Sequence, residues 1–90
     1  MLVPRHTKKF DKHVKRAKKR GKDMKKLRDI MSRLINEKPL MIKHRDHKLV
    51  GALHDCRECH IEPDWLLVYR IQEKEIYFVG TGTHADLFSS

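Results

Sequence analysis

The sequence predicts one α+β domain in which two N-terminal helices pack on a small antiparallel sheet. Two apolar stripes with helical spacing come early in the chain, three runs with strand character come late, and a short apolar segment precedes the helices. Ninety residues suffice for a single domain with one modest core. The expected order of elements is therefore β-α-α-β-β-β, followed by a short C-terminal helix or turn.

The chain begins with a predicted edge strand and a first helix. The strand is the segment MLVPRH, and Pro4 assigns it to an edge because proline has no N–H to donate to a neighbouring strand. Thr7 is a suitable N-cap for a helix over about residues 8–20. This helix is rich in Lys and Arg and carries one narrow apolar stripe, which consists of Phe10, Val14 and Ala17.

A second helix is predicted between Gly21 and Asn36. Gly21 ends the first helix, and Asp23 can cap the next one. The apolar stripe of the second helix is wider than that of the first, which is typical of a helix packed on a sheet. Its members are Met24, Leu27, Ile30, Met31, Leu34 and Ile35.

The segment from residue 37 to residue 54 has no periodic pattern. It contains Pro39, Gly51 and four Lys or Arg residues, so we expect a long ordered loop with at most one short turn or strand. A loop of this length is uncommon in so small a domain, and such loops are often functional. Three of the seven histidines lie on it, namely His44, His47 and His54.

Three strand-like runs follow the loop: DCRECHIE, DWLLVYRIQ and EIYFVGTGT. Pro63 marks the turn between the first two, and residues 72–75 mark the turn between the last two. In the middle run, alternation predicts one face with Trp65, Leu67, Tyr69 and Ile71, and the other with Leu66, Val68 and Arg70. Because both faces are largely apolar, we expect this strand to be central and covered on both sides.

Charge is distributed unevenly along the chain. Of the 21 Lys and Arg residues, 18 lie in residues 1–50, against 5 Asp and Glu residues there. Such clustering favours a phosphate-rich partner such as nucleic acid, although basic helices are also often simply solvated faces. No apolar run approaches the roughly 20 residues that span a bilayer, which excludes a membrane-protein class.

The sequence CRECH at residues 56–60 matches the C-x-x-C-H pattern of covalent haem attachment and half of a zinc or thiol redox site. The chain shows no signal-peptide pattern, so we expect a cytoplasmic protein with reduced thiols, where such haem is not normally attached. A closed zinc site needs four ligands, and strand alternation would separate Cys56 from Cys59. We therefore interpret both cysteines as incidental strand residues and expect no metal and no cofactor.

Three histidines, His47, His60 and His84, are the candidates for chemistry, with Glu58 and Asp64 close to His60 in sequence. The histidines of the first helix and the N-terminus are expected to be solvated. Histidine can accept or donate a proton near neutrality, so a cluster of histidines and acids indicates proton transfer. On a basic protein the natural substrate is RNA, whose 2′-hydroxyl attacks its own phosphodiester once a base removes the proton.

Several stretches together are similar to one known family. The runs CRECHIEPDWLLVYRI and FVGTGTHADLF, with RDHKLVG and KRGKDMKKL upstream, resemble the YafQ branch of the RelE/ParE toxin superfamily over almost the whole chain. The strings H-x-E-P-D-W and T-G-T-H-x-x-L-F are specific. The resemblance implies a RelE-like fold and a messenger-RNA endonuclease that works in the ribosomal A site without a metal, leaving a 2′,3′-cyclic phosphate and a 5′-hydroxyl.

The resemblance also implies roles for particular residues. The catalytic positions of the family match His47, His60, Asp64 and His84. Positions next to the site match Glu58, Trp65 and Phe88, which become candidate substrate contacts. For Trp65, core packing and substrate contact are equally good interpretations. Our own hypothesis for the roles is that His60 or His47 acts as the base and the other or His84 as the acid, while Asp64 orients an imidazole or favours its charged form.

One position departs from the family pattern. The family usually has an arginine just before T-G-T-H, where this chain has Gly80. An arginine there would contact the scissile phosphate, and losing such a contact costs about 10²–10³-fold in rate. Three explanations are open: Arg57 or Arg70 replaces it, the protein is a weak toxin, or Gly80 is an attenuating replacement for a natural arginine that reduces the activity.

The implied partners are an antitoxin, the ribosome and messenger RNA. The basic helices would contact ribosomal RNA, and an acidic antitoxin segment would cover the same face. The toxin–antitoxin complex is further expected to bind operator DNA. The alternatives are a ribosome-independent RNase of the same fold and a non-enzymatic module of the ParE type that binds gyrase or nucleic acid.

Overall fold

The computed structural model describes residues 1–88 as an α+β domain with one five-stranded sheet. The strands are β1 (Val3–His6), β2 (His47–Lys48), β3 (Arg57–Glu62), β4 (Trp65–Gln72) and β5 (Glu75–Gly82), in the sheet order β1-β5-β4-β3-β2. The helices are α1 (Lys8–Lys19), α2 (Met24–Ile35) and α3 (His84–Phe88). The predicted fold class is confirmed. Within residues 1–88, no helix has the length and apolar character needed to cross a membrane.

The sheet is mixed rather than purely antiparallel. Strands β2 to β5 pair antiparallel, whereas β1 pairs with β5 in parallel, with Val3 opposite Glu75 and His6 opposite Phe78. The first strand is therefore the neighbour of the last one. Local sequence patterns specify that a segment is extended but not which distant strand it joins, so this pairing was not predicted.

The two long helices start as the sequence predicts. The Thr7 hydroxyl accepts a hydrogen bond from the Phe10 N–H (3.0 Å), and the Asp23 carboxylate accepts one from the Lys25 N–H (3.0 Å). Between the helices, Gly21 has a φ of 79°, a left-handed conformation that glycine adopts without strain. These caps set where each helix begins and how α2 turns back over the sheet.

The core lies between the long helices and one face of the sheet. Its helical members are the predicted stripes, with Phe10, Ala17, Leu27, Ile30 and Leu34 fully buried. Strand β4 is central, as predicted, and its residues 65–69 are buried on both faces. Ile71, at the far end of β4, is half exposed.

Beyond His6, the outer edge of β5 has no neighbouring strand, and α1 supplies a partner instead. The Nδ1 atom of His13 accepts a hydrogen bond from the Thr81 N–H (3.1 Å). The expectation that the histidine of the first helix is solvated is therefore wrong, because His13 is only 8% exposed. Burial on the inner face of α1 explains the difference, and this face was assigned from apolar residues alone.

The loop between α2 and β3 contains more structure than one turn. Two 3₁₀ turns, Ile42–His44 and Gly51–Leu53, flank the two-residue strand β2. In β2, His47 lies directly opposite Glu58 of β3. The loop thereby carries a histidine to the sheet face opposite the core.

Candidate active site

Three predicted histidines come together at one end of the sheet. The ring centres of His47 and His60 are 6.3 Å apart, and those of His60 and His84 are 5.9 Å apart. They arrive from different elements, because His47 is in β2, His60 is in β3 and His84 begins α3. The fold thus builds a row of imidazoles from residues that are far apart in sequence.

Glu58 links two of these histidines. One carboxylate oxygen, Oε2, lies 3.2 Å from His47 Nε2 and 3.9 Å from His60 Nε2. Glu58 is only 4% exposed, and its other oxygen, Oε1, is buried and has no hydrogen-bond partner in residues 1–88. Buried polar atoms are nearly always paired, so an unpaired carboxylate oxygen at a cluster of histidines is a functional signal.

Backbone carbonyls fix the orientation of both rings. The Nδ1 atom of His47 lies 2.6 Å from the Arg45 carbonyl oxygen, and that of His60 lies 3.1 Å from the Pro63 carbonyl oxygen. A carbonyl only accepts hydrogen bonds, so Nδ1 carries the proton in both rings and Nε2 faces Glu58. Each nitrogen of His47 thus faces an acceptor, the Arg45 carbonyl on one side and the Glu58 carboxylate on the other.

His84 is hydrogen-bonded to Asp64 through both its backbone and its ring. The Oδ1 atom of Asp64 accepts the His84 backbone N–H (3.1 Å) and lies 3.3 Å from the ring Nδ1. These hydrogen bonds lower the pKa of the Asp64 carboxyl below its ordinary value. Both side chains are exposed, so solvent weakens the charge interaction between them.

The loop that carries His47 is attached to the sheet through Asp46. The Tyr69 hydroxyl donates to Asp46 Oδ1 (2.5 Å), and Arg57 Nε donates to the same oxygen (3.3 Å). Tyr69 is buried, and this burial raises the pKa of its hydroxyl. Sequence reasoning missed these positioning residues, because no local pattern connects an acid in a loop with a tyrosine 23 residues later.

Helix α3 is held by a second set of contacts that was also missed. Thr83 and Asp86 cap it reciprocally: the Thr83 N–H donates to Asp86 Oδ2 (2.9 Å) and the Asp86 N–H donates to Thr83 Oγ1 (3.0 Å). Arg20, the C-cap residue of α1, adds two hydrogen bonds to the Asp86 carboxylate (2.6 and 3.2 Å). The spacing T-x-x-D is a capping-box signal that was readable in the sequence.

A cleft opens beside the histidines. It has a volume of about 450 Å³, and its lining consists of Leu49, Val50, Ala52, Leu53, Glu58, His84 and Phe88. One wall is the apolar end of the loop, and the other is the ring of Phe88, whose centre is 6.1 Å from that of His84. Phe88 is 43% exposed, so part of its ring is free to contact a ligand.

Trp65 is part of the core. It is 1% exposed, and its indole N–H donates to Thr81 Oγ1 (2.9 Å). Of the two interpretations of this residue, packing is therefore the one that its position supports. The contact helps to hold the end of β5, from which the chain continues to His84.

Gly80 lies in β5 opposite Val68, which in turn lies opposite Glu58. The ladder between β4 and β5 shifts here by one residue, which leaves Val79 unpaired as a bulge. A Cβ atom at Gly80 would lie 3.2 Å from His13 Nδ1 and 3.3 Å from Leu87 Cδ2. Any side chain at this position therefore requires a small displacement of its neighbours.

The two arginines considered as replacements lie on opposite faces of the sheet. Arg57 is bonded to Asp46 and pairs in register with Tyr69, a core residue. Arg70 shares a face with Val68 and hence with Glu58, and its guanidinium lies over the Tyr77 ring at 4.3 Å. Arg70 is therefore the one on the side of the histidines.

Both cysteines are free and buried. Burial raises the pKa of the Cys59 thiol to about 12, which keeps it protonated and a poor metal ligand or nucleophile. Among residues 1–88, no three His, Cys, Asp or Glu side chains are grouped closely enough to hold a metal ion.

The basic surface is concentrated on α1. Six lysines of this helix are exposed, and none of them forms an ion pair with any residue between 1 and 88; they are Lys8, Lys9, Lys12, Lys15, Lys18 and Lys19. By contrast, Lys22 and Lys26 pair with Glu62 of β3. The lysines of α1 are thus available to an anionic partner.

Comparison with known proteins gives concordant matches. The mRNA interferase toxin YafQ of Escherichia coli K12 is 48% identical over 80 residues, which cover 88% of this chain and 87% of that protein. The E. coli DinJ–YafQ toxin–antitoxin complex contains a chain with a TM-score of 0.91 and 43% identity, covering 98% of both chains. A metal-bound toxin from Helicobacter pylori matches with a TM-score of 0.92 and 46% identity, over 98% of this chain and all of that one.

The family comparison covers the domain described above. Residues 2–89 match the model of a family described as the bacterial toxin of type II toxin–antitoxin systems, YafQ. The chain belongs to the YafQ family of type II toxin–antitoxin toxins.

Proposed function

We propose that this protein is a messenger-RNA endonuclease that cleaves in the ribosomal A site. The observation that carries the proposal is the carboxylate of Glu58 between His47 and His60, with His84 next in the row. Such a cluster supplies a base and an acid within reach of one phosphodiester. The name of the 48% identical E. coli relative, an mRNA interferase, supports the same substrate class.

His60 is the proposed general base. Its Nδ1 is committed to the Pro63 carbonyl, which leaves the lone pair of Nε2 to accept the proton of the 2′-hydroxyl. The 2′-oxygen then attacks phosphorus and forms the 2′,3′-cyclic phosphate. The charge that His60 gains is stabilised by the nearby Glu58 carboxylate, 3.9 Å from Nε2.

His47 is the proposed general acid. With both nitrogens facing acceptors it carries a proton that it can transfer to the leaving 5′-oxygen as the P–O bond breaks. The products are then a cyclic phosphate and a 5′-hydroxyl. His84, oriented by Asp64, is the alternative acid from the other end of the row.

The remaining predicted residues support the reacting groups. Glu58 acts on both histidines and, through its unpaired oxygen, on the substrate. Phe88 offers an exposed ring on which a base can stack. Trp65 acts indirectly, by holding Thr81 and the strand end that leads to His84.

Gly80 is proposed as a lost phosphate contact. Without an arginine at this position, Arg70 is proposed to contact the phosphate instead, because it lies on the same face of the sheet as Glu58 and the histidines. The activity is then expected to be lower than that of a relative with the arginine, because one fixed positive charge near the phosphate is missing.

The free lysines of α1 are proposed to bind ribosomal RNA and, in the inhibited state, an acidic segment of a cognate antitoxin. The solved complex of the E. coli relative with DinJ supports an antitoxin partner. Binding of the toxin–antitoxin complex to operator DNA is part of the same proposal.

The experiment compares three substrates in parallel. The purified protein is incubated with messenger RNA on programmed ribosomes, with the same RNA free in solution, and with gyrase and relaxed plasmid. Cleavage restricted to the ribosome arm, with cyclic-phosphate ends, is the expected result. Cleavage of free RNA would instead support the ribosome-independent RNase, and loss of supercoiling without cleavage would support the gyrase-binding module.

A chelator arm tests the metal-free chemistry. Because the proposed steps need only imidazole protons, dialysis of the protein against EDTA before assay is expected to leave the rate unchanged. Loss of activity that returns with a divalent metal would contradict the proposed mechanism, and the metal-bound H. pylori relative makes this arm informative. Ribosomes are added after the chelator has been removed, because they need magnesium themselves.

A further inference from the structure

The cleft beside the histidines and the unpaired oxygen of Glu58 have no role in the proton transfers described so far. Both lie next to the catalytic row, because Glu58 and His84 belong to the cleft lining as well as to the histidine cluster. A volume of about 450 Å³ with mainly apolar walls and few polar groups is typical of a small-ligand pocket. A ligand held there would be adjacent to the atoms that react.

The walls suit the flat face of a nucleobase. Leu49, Val50 and Leu53 form an apolar surface on the loop side, and Phe88 provides a half-exposed ring opposite. Unstacked bases of RNA are commonly bound between aromatic and apolar side chains, and each such stacking contact contributes affinity without reading the sequence.

Within residues 1–88, the cleft lining contains one carboxylate, that of Glu58. An ionised carboxylate oxygen only accepts hydrogen bonds, and Glu58 Oε2 is already shared with His47 and His60. Oε1 is buried without a partner in the described chain, so a donor from the ligand would satisfy it. The terminal torsion of glutamate is soft, and a small rotation can bring Oε1 to the cleft.

We infer that this cleft binds the base next to the scissile phosphate and that Glu58 selects bases with an exocyclic amino group. Adenine, cytosine and guanine present such an amine on the edge that pairs in a duplex, whereas uracil has none. Uracil presents one ring N–H there, flanked by two carbonyls whose oxygens repel a carboxylate. The inference rests on the proposed endonuclease function and adds a residue that determines specificity.

The test removes the amine from the RNA rather than changing the protein first. Programmed ribosomes receive short synthetic messages that carry either adenosine or purine riboside, which lacks only the amine, on each side of the cleaved bond in turn. Because a hydrogen bond to a charged group is lost, the purine message is expected to be cut roughly tenfold more slowly or worse at one of the two positions.

The same pair of messages is then given to protein variants. With Glu58→Gln the ratio between the two messages is expected to fall to about threefold, since a bond to a neutral amide is weaker, whatever the overall loss of rate. Glu62→Gln is the matched control on the same strand, because Glu62 pairs with Lys22 and Lys26 outside the cleft. Phe88→Leu should slow both messages equally.

Different failures have different meanings. Equal cleavage of both messages at both positions would overturn base selection while leaving the endonuclease intact, and a ratio that survives Glu58→Gln would remove Glu58 from that role. Antitoxin binding that depends on Glu58 and Phe88, together with equal cleavage, would show that the cleft takes a protein side chain instead. Absence of any cleavage by the unaltered protein would count against the proposed function itself.

Discussion

His13 and His60 are equally buried, each with 8% of its surface exposed, yet they lie in opposite chemical settings. His13 of α1 accepts a hydrogen bond from a backbone N–H at the edge of β5. His60 of β3 points Nε2 towards a carboxylate and uses Nδ1 to hold its orientation. The fraction of surface buried therefore does not separate a histidine that stabilises the fold from one suited to move a proton.

The partners make the difference. Burial, Arg16 and Lys9 all lower the pKa of His13, and the neutral ring that results is the only form that can accept the Thr81 N–H. Around His60 the neighbouring charge has the opposite sign, because the Glu58 carboxylate lies 3.9 Å from its Nε2. His13 is therefore a neutral acceptor within the fold, whereas His60 faces a carboxylate.

The sharpest test of this contrast exchanges each ring for glutamine. His60→Gln removes the proposed base and is expected to slow cleavage by about 10²- to 10⁴-fold with the fold unchanged. His13→Gln is the matched control, since an amide oxygen can still accept the Thr81 N–H, and its rate should stay within a few-fold of the original. Cleavage assays on one message and circular dichroism measure both. An equal loss of cleavage rate in the two variants would contradict the proposed difference between a catalytic and a structural histidine.

Filling the space next to His13 is expected to have the next largest effect. In Gly80→Arg and Gly80→Ala the new Cβ atom meets His13 and Leu87 in the same way, so both variants should shift the free energy of unfolding by a similar amount in urea titrations. Relative to Gly80→Ala, the arginine variant should cleave up to about 10²–10³-fold faster.

The alanine variant separates packing from charge, because it has the Cβ without the guanidinium. No gain of Gly80→Arg over Gly80→Ala, in cleavage or in growth arrest, would mean that no phosphate contact is missing. Arg70→Gln would then be expected to carry the larger loss, since Arg70 is on the face of the histidines.

Unlike the buried rings of His13 and His60, the ring of His84 is exposed to solvent. Its partner Asp64 and its own ring are both open to solvent, so Asp64→Asn is expected to slow cleavage by only about two- to fivefold. An amide oxygen can still accept the His84 backbone N–H and keep the start of α3 in place. A loss as large as that of His60→Gln would instead give Asp64 a direct part in the reaction.

The smallest expected effect is a pH dependence of stability that arises from His13. Its pKa is lower in the folded state than the ordinary value of 6.5, so the unfolded chain takes up a proton first as the pH falls. The stabilisation is complete above about pH 6.5 and is lost as the pH falls through the lowered pKa of the folded state. Urea titrations between pH 7.5 and 5 should show a shallower slope for His13→Gln, and an identical slope would contradict this origin.

The sequence predicts the parts of the fold that depend on local signals. Caps at Thr7 and Asp23, the apolar stripes and the two-faced apolar strand β4 are all readable over short stretches, and the structure confirms them. The parallel pairing of β1 with β5 and the burial of His13 depend on contacts about 70 residues apart, for which periodicity holds no information.

In the candidate site, too, some features were predictable from the sequence and others depend on distant contacts. His47, His60 and His84 were selected because of their residue type and their family motif, and the structure brings them into one row. Their roles as acid and base stay predictions. The attachment of the loop through Asp46 and Tyr69 was not predictable, since it joins two residues whose separate patterns indicate only a loop and a strand.

The parallel pairing of β1 with β5 has a consequence for synthesis of the protein. During synthesis, β1 and both long helices leave the ribosome long before β5 does. Strand β5 lies between β1 and the rest of the sheet, so β1 has no neighbouring strand until then. The sheet can close, and His84 can join the other histidines, only after residues 75–84 emerge. A nascent chain that has not yet released residue 84 therefore lacks the complete row of histidines on which the proposed activity depends.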